Sequence, residues 1–392
     1  MKLVRLLWII LPALLWALLV PTALKASEDL PPQGSQAPAA TVIYVDRDAA
    51  GATHNGQSWA TAYTYLQDAL DWTNIHTTTA YEIWVAEGVY YPDEGAGHVN
   101  NAITETYWIK TANVQLYGGF GGTEISRDQR DWTAHPTILS GDIDQNDINS
   151  DGNFVDEVYS DIAGNNAGRI MYISNYIPGN ILPVALDGFI VTGAAWNSLY
   201  TACNSNSNNS LCITTLNNLT FSGNRGGDGA GVYIGQNCQE HSLTTLTNVA
   251  FTGNFASRAG AALRTMNNCD GILDVTLNHV TFTHNEVQHT TTKNLWPPDF
   301  PPEPYAGGGA IANEVQYYLD GVINMTLIDT LFIGNKSNVG GGAMLNSTQN
   351  YGKGITVTLQ NVDFIQNESI GPGGAIYNNG HYSTINPILT NV

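Results

Sequence analysis

The sequence predicts an all-β chain: a right-handed parallel β-helix (solenoid) with an N-terminal helix-containing cap. Three observations carry this expectation. A nine-residue pattern, L-x-[N/D/H]-x-x-F-x-x-N, recurs as LNNLTFSGN (216–224), LTNVAFTGN (246–254), LNHVTFTHN (277–285), LIDTLFIGN (327–335) and LQNVDFIQN (359–367). A glycine-rich element follows each copy: DGAGVY (228–233), RAGAAL (258–263), GGGAIA (307–312), GGGAML (340–345) and GPGGAIY (371–377). The offsets between the two are fixed, since Phe251 to Leu263, Phe332 to Met344 and Phe364 to Ile376 are each 12 residues apart.

The phenylalanines of the pattern, Phe221, Phe251, Phe282, Phe332 and Phe364, recur at steps of 30, 31, 50 and 32. The long step holds an insertion rich in Thr, Pro and His between Asn285 and Gly307, and an earlier copy, LDGFIVTGA (186–194), has Val191 in the aromatic position. Short β-branched runs bounded by Gly or Asn predict about three strands per period. Coils that stack at about 4.8 Å then set each residue over its counterpart. The phenylalanines should form an internal stack. The Asn three residues later should sit at a tight turn, tolerate a left-handed backbone and bond along a ladder. The Gly-Gly-Ala step should mark a bend where a side chain would strike the next coil. Helical arrays of similar period need 3.6-residue spacing, which these runs lack.

Upstream, Thr41 to Val45 and Glu82 to Val85 predict strands, and Ser58 to Trp72 places Ala62, Leu66, Ala69 and Leu70 at helical spacing. One amphipathic helix beside two strands needs a larger surface, such as the open end of a solenoid. Val114 to Tyr117 and Pro136 to Leu139 predict further strands, with Gly118 to Gly122 as the turn between them. That glycine cluster lacks the Lys-Ser or Lys-Thr of a phosphate-binding loop.

Lys2 and Arg5 precede an apolar run from Leu6 to Val20, with Pro21 and the small residues Ala23 and Ala26 behind it, which is the pattern of a signal peptide over 1–26. A Pro/Ser/Ala-rich linker (27–40), a cap with the first coils (41–140), an acidic loop (141–168) and the repeats (169–392) follow. The last residues, LTNV (389–392), match the start of another repeat, so a C-terminal truncation and end-to-end self-association are expected. Without the leader's three bases the chain has 11 Lys plus Arg against 34 Asp plus Glu, a net charge of −23. No nucleic acid and no anionic membrane finds a basic stripe here, and no membrane span is expected beyond the signal peptide.

GGAI combined with FxxN, as in FIQNESIGPGGAIYN (364–378), resembles the polymorphic outer membrane protein repeat family. The leading block (YVDRDAAG, SWATAY, EIWVAEGVYYP, LYGGFGGTE, ILSGDID) looks like the N-terminal part of secreted bacterial right-handed β-helix proteins. The resemblance implies a secreted or cell-surface, outer membrane-associated protein. It departs from the family in one GAGV copy and in the lack of a C-terminal barrel.

Two functions remain open: an adhesive or structural surface that binds glycans or proteins of a host or neighbouring cell, and a carbohydrate-active enzyme, either a polysaccharide lyase or a glycosidase. No catalytic residue is assigned. The bases Arg225, Arg258, Arg264, Lys336 and Lys353 have no flanking acid cluster, and Asp228, Glu240, Asp270, Asp274, Asp320, Asp329, Asp363 and Glu368 are scattered singly. Asp187, Asp329 and Asp363 occupy three different repeat positions, which points to turn or surface roles. His279 and His284 replace Asn or Gly of other copies, so core or turn roles outweigh zinc. Trp196 and Trp296 are expected to pack under loops. GDIDQNDINSDGNFVDE (141–157) alternates carboxylates and amides, so Asp142, Asp144, Asp147, Asn149, Asp151 and Asp156 are the candidate Ca²⁺ ligands. Cys203 with Cys212 and Cys238 with Cys269 are the expected disulfides.

Overall fold

The computed structural model describes residues 40–392 except 78, 111–113, 176–181, 204–210, 237–239, 269, 290–305, 316–319, 349–353 and 381–382. The leader, most of the linker, Cys238, Cys269, Trp296 and Lys353 lie outside the described residues. Residues 39–392 make one compact unit, a parallel β-solenoid of about eight turns.

Three sheets form its sides, and every strand pair is parallel. The first runs through Thr41–Val45, Tyr81–Ala86, Val114–Phe120, Leu182–Asp187, Leu211–Ser222, His241–Thr252, Ile272–Thr283, Val322–Ile333, Gly354–Ile365 and Ile385–Thr390. The second stacks eight strands from Tyr107–Ile109 to Ile376–Gly380, and the third stacks five short ones from Arg225–Asp228 to Glu368–Ser369. Each coil from Leu211 to Gly380 therefore contributes three strands, one to each sheet, as the repeat predicts. Register follows the repeat: Val191 pairs with Phe221, Phe221 with Phe251, Phe251 with Phe282, Phe282 with Phe332, and Phe332 with Phe364.

The five rings stack face to face at centroid distances of 4.7 to 5.0 Å. Four of them are fully buried and Phe364 is half-buried. Three residues on, Asn224, Asn254, Asn285, Asn335 and Asn367 form the expected ladder. The side-chain amides of the first four each donate to the Oδ1 of the next, at 2.9 to 3.0 Å. Each also donates to a carbonyl of the coil before, as Asn254 does to Phe221.

The ladder asparagines are not themselves left-handed, contrary to expectation. That conformation falls on the residue before each, Gly223, Gly253, His284, Gly334 and Gln366, and on the third position of the pattern, Asn218, Asn248, His279, Asp329 and Asn361. The ladder side chain must point inward to bond, so its neighbour makes the turn. His279 and His284 thus have the turn roles expected of them. The glycine element behaves as predicted, because a Cβ on Gly309 would lie 2.1 Å from the Gly342 carbonyl of the next coil.

Among the described residues the single α-helix spans Leu66–Ile75, after a 3₁₀ turn at Trp59–Thr61, and so starts later than the pattern from Ser58 predicts. Its buried Leu66, Ala69 and Leu70 join Ile43 and Val45 in the main core near the first strand. The glycine cluster also differs from expectation: Gly118, Gly119 and Phe120 continue the strand Val114–Phe120, and only Gly121 begins the turn. Phe120 is buried and stacks on Trp84 at 4.9 Å, which holds the strand in place. Among the described residues no helix is long and apolar enough to cross a membrane.

Candidate functional site

Each twelve-residue strand of the first sheet bends at its left-handed residue, and that residue's side chain lies on the outside. Asn tolerates this conformation because its short amide bonds locally. Asn218 Nδ2 donates to Asp187 Oδ1 at 2.8 Å and Asn248 Nδ2 to Asn218 Oδ1 at 2.7 Å. Farther along, Asn361 donates to Asp329 at 2.9 Å and Asn391 to Asn361 at 3.0 Å. A second, outer column of polar side chains thus runs along the solenoid, bonded in two stretches, Asp187 to Asn248 and Asp329 to Asn391.

Beside this column lies a groove of about 390 Å³, lined by Trp132 and by successive coils at Phe189, Asn218, Asn248 and His279. Trp132 is 37% exposed and forms one wall. The Arg130 guanidinium lies 5.0 Å from its ring centroid and pairs with Asp187 at 2.8 Å. Gly119 has φ +89, and a Cβ there would meet the Trp132 backbone at 2.6 Å, so the wall sits directly on the strand end. The sequence reading missed Trp132 because it precedes the repeats and has no periodic partner; the only signal was the Arg130-Asp131-Trp132 run behind a glycine turn.

The acidic stretch is only partly brought together. Asp147 and Asp156 converge with Asn166, a residue beyond the predicted set. Asn166 Nδ2 donates to Asp147 Oδ2 at 2.7 Å, and the Asp147 Oδ1 accepts from the Ala163 amide. Asp156 is buried, its amide donating to Thr192 Oγ1 and its carbonyl accepting from Ser222 Oγ. Burial pushes both carboxyls above the ordinary range, with the Asp142 charge adding to it at Asp147 and the Asp147 charge at Asp156, which is raised further. Asp142 accepts from the amides of Asn146 and Asp147, and Asp144 from that of Asn165. Asp151 is exposed and bonds Asn153, while Asn149 keeps a buried Oδ1 with no donor. Among the described residues no three His, Cys, Asp or Glu side chains gather as a metal-binding group.

Other predicted residues have structural partners. Asp187 is paired with Arg130, and Asp329 makes a turn. Asp228, expected to stand alone, pairs with both Arg258 and Arg264, and the fully buried Arg264 also pairs with Glu314. The sequence hides this because the partners lie on neighbouring coils of different length. Trp196 does not pack under a loop: it is 55% exposed, although its ring covers Gly168. Cys203 and Cys212 form the expected disulfide, with Cα atoms 5.8 Å apart. No family model matches the chain, and no curated protein or solved structure matches it.

Proposed function

We propose that this chain is a secreted or cell-surface solenoid of the polymorphic outer membrane protein repeat type, and that it binds a linear glycan on its outer groove without transforming it. The observation that carries this reading is Trp132 standing beside the Asp187, Asn218 and Asn248 column. An indole face offers the apolar surface on which a pyranose ring stacks, and amides at one-coil intervals offer donors and acceptors to hydroxyls along an extended chain. The acidic balance of the chain favours a neutral or basic glycan over a polyanionic one. Beside the groove Asp187 is engaged by Arg130 and Asn218, which suits a positioning role better than proton transfer.

The test is an array of neutral, basic and uronate-containing glycans probed with the purified chain, with an absorbance assay for unsaturated uronate alongside. Binding to neutral or basic chains with no product supports the reading. Unsaturated product would make the chain a lyase instead.

A further inference from the structure

The buried end of the acidic stretch is built around a small open space. Asp156 and Asn166 are each only 4% exposed. Asp156 Oδ2 has no hydrogen-bond donor, and neither has Asn166 Oδ1. Asn166 spends its Nδ2 on Asp147 Oδ2 and on the Gly193 carbonyl, each at 2.7 Å. Gly193 has φ +74, and a Cβ on it would lie 2.8 Å from Asp156 Oδ2, 3.3 Å from Asp147 Oδ2 and 3.4 Å from Asn166 Nδ2. Two carboxylate oxygens and an amide therefore face one space that only glycine leaves free.

We propose that this space is a Ca²⁺ site held by Asp147, Asp156, the side-chain oxygen of Asn166 and the carbonyl of Gly193. Burying two carboxylates side by side is costly unless one takes up a proton or a cation sits between them, and a cation competes directly with that proton. The unsatisfied buried side-chain atoms among the described residues of 142–166 are Asp144 Oδ1, Asn149 Oδ1, Asp156 Oδ2 and Asn166 Oδ1, all of them acceptors. Turning the Asn166 amide over exchanges Nδ2 for Oδ1 and directs four oxygens at the ion. The ion then replaces the two N–H bonds that are given up. Carboxylate, amide and carbonyl oxygens with no nitrogen or sulfur suit a hard cation, and the irregular arrangement suits Ca²⁺ better than octahedral Mg²⁺. Water completes the shell of about six to eight oxygens. Because Gly193 belongs to the solenoid wall, the ion would pin the acidic stretch to the coils, independently of any glycan.

Calorimetric titration of the EDTA-treated full chain with CaCl₂ tests this. One ion should bind per chain; Asp147→Asn and Asp156→Asn should each weaken it by about tenfold or more, and Asp151→Asn should leave it unchanged. Hydrogen exchange of the unmutated chain gives a second readout, with the amides of 142–166 slowing when Ca²⁺ is added. The proposal fails if neither heat nor slowed exchange appears up to about 10 mM Ca²⁺, above the range of extracellular calcium modules. It also fails if binding survives both Asp147→Asn and Asp156→Asn, or is abolished by Asp151→Asn.

Discussion

Asn285 donates its side-chain amide to Asn335 Oδ1 at 3.0 Å across 50 residues, the same bond that Asn254 makes to Asn285 across 31. The insertion between Asn285 and Gly307 is therefore accommodated without disturbing the coil register. Asn285 also bonds the Phe251 carbonyl and accepts from the Asn254 backbone. Asn285→Ala strands several buried groups at once and should cost about 3 kcal/mol, measured by chemical denaturation. A loss under about 0.5 kcal/mol would mean that the ladder contributes nothing beyond its backbone.

The aromatic column should be unequal along its length. Phe282→Ala removes a ring held between two others in the core and should cost about 3–5 kcal/mol, whereas Phe364→Ala, at a half-buried ring, should cost less than half of that. Equal losses would contradict the burial described here.

The columns were legible in the sequence because one residue type recurs at one offset, and stacking turns that offset into contact. Phe221 to Phe364 and Asn224 to Asn367 needed nothing more. The left-handed positions were harder to see, since both Asn218 and Asn224 are asparagines and only packing decides which side chain points inward. Sites joined by non-repetitive contacts were not legible at all: Arg130 meets Asp187 over 57 residues, and Gly193 meets Asp156 through a turn that no spacing announces. The helix began late because Ala62, though buried, belongs to the turn before it.

His98 supplies a pH dependence. Burial alone would lower its pKa, but hydrogen bonds to Glu105 at 2.7 Å and to Asp71 at 3.0 Å raise it above 6.5. A raised folded value means that the stabilisation is complete below the unfolded pKa and is lost as pH climbs through the folded one. The unmutated chain should therefore lose stability relative to His98→Gln as the pH rises from about 6 through the raised folded pKa. Parallel melting curves across that range would show His98 to be uncoupled.

The Cys203–Cys212 disulfide is buried and closes a short loop, its sequence separation being 9. The Cys203→Ser, Cys212→Ser double variant should lose about 2–3 kcal/mol, seen as a lower denaturation midpoint in the absence of reductant. Peptide mapping that joined Cys203 to Cys238 or Cys269 would refute this pairing.

The most direct test of the account is a binding titration of the unmutated chain and of Trp132→Ala with a neutral or basic glycan selected on the array. Trp132→Ala should weaken binding by about 1–3 kcal/mol while the melting temperature, set by the inner columns, stays close to that of the unmutated chain. Undiminished affinity in a folded Trp132→Ala chain would contradict it.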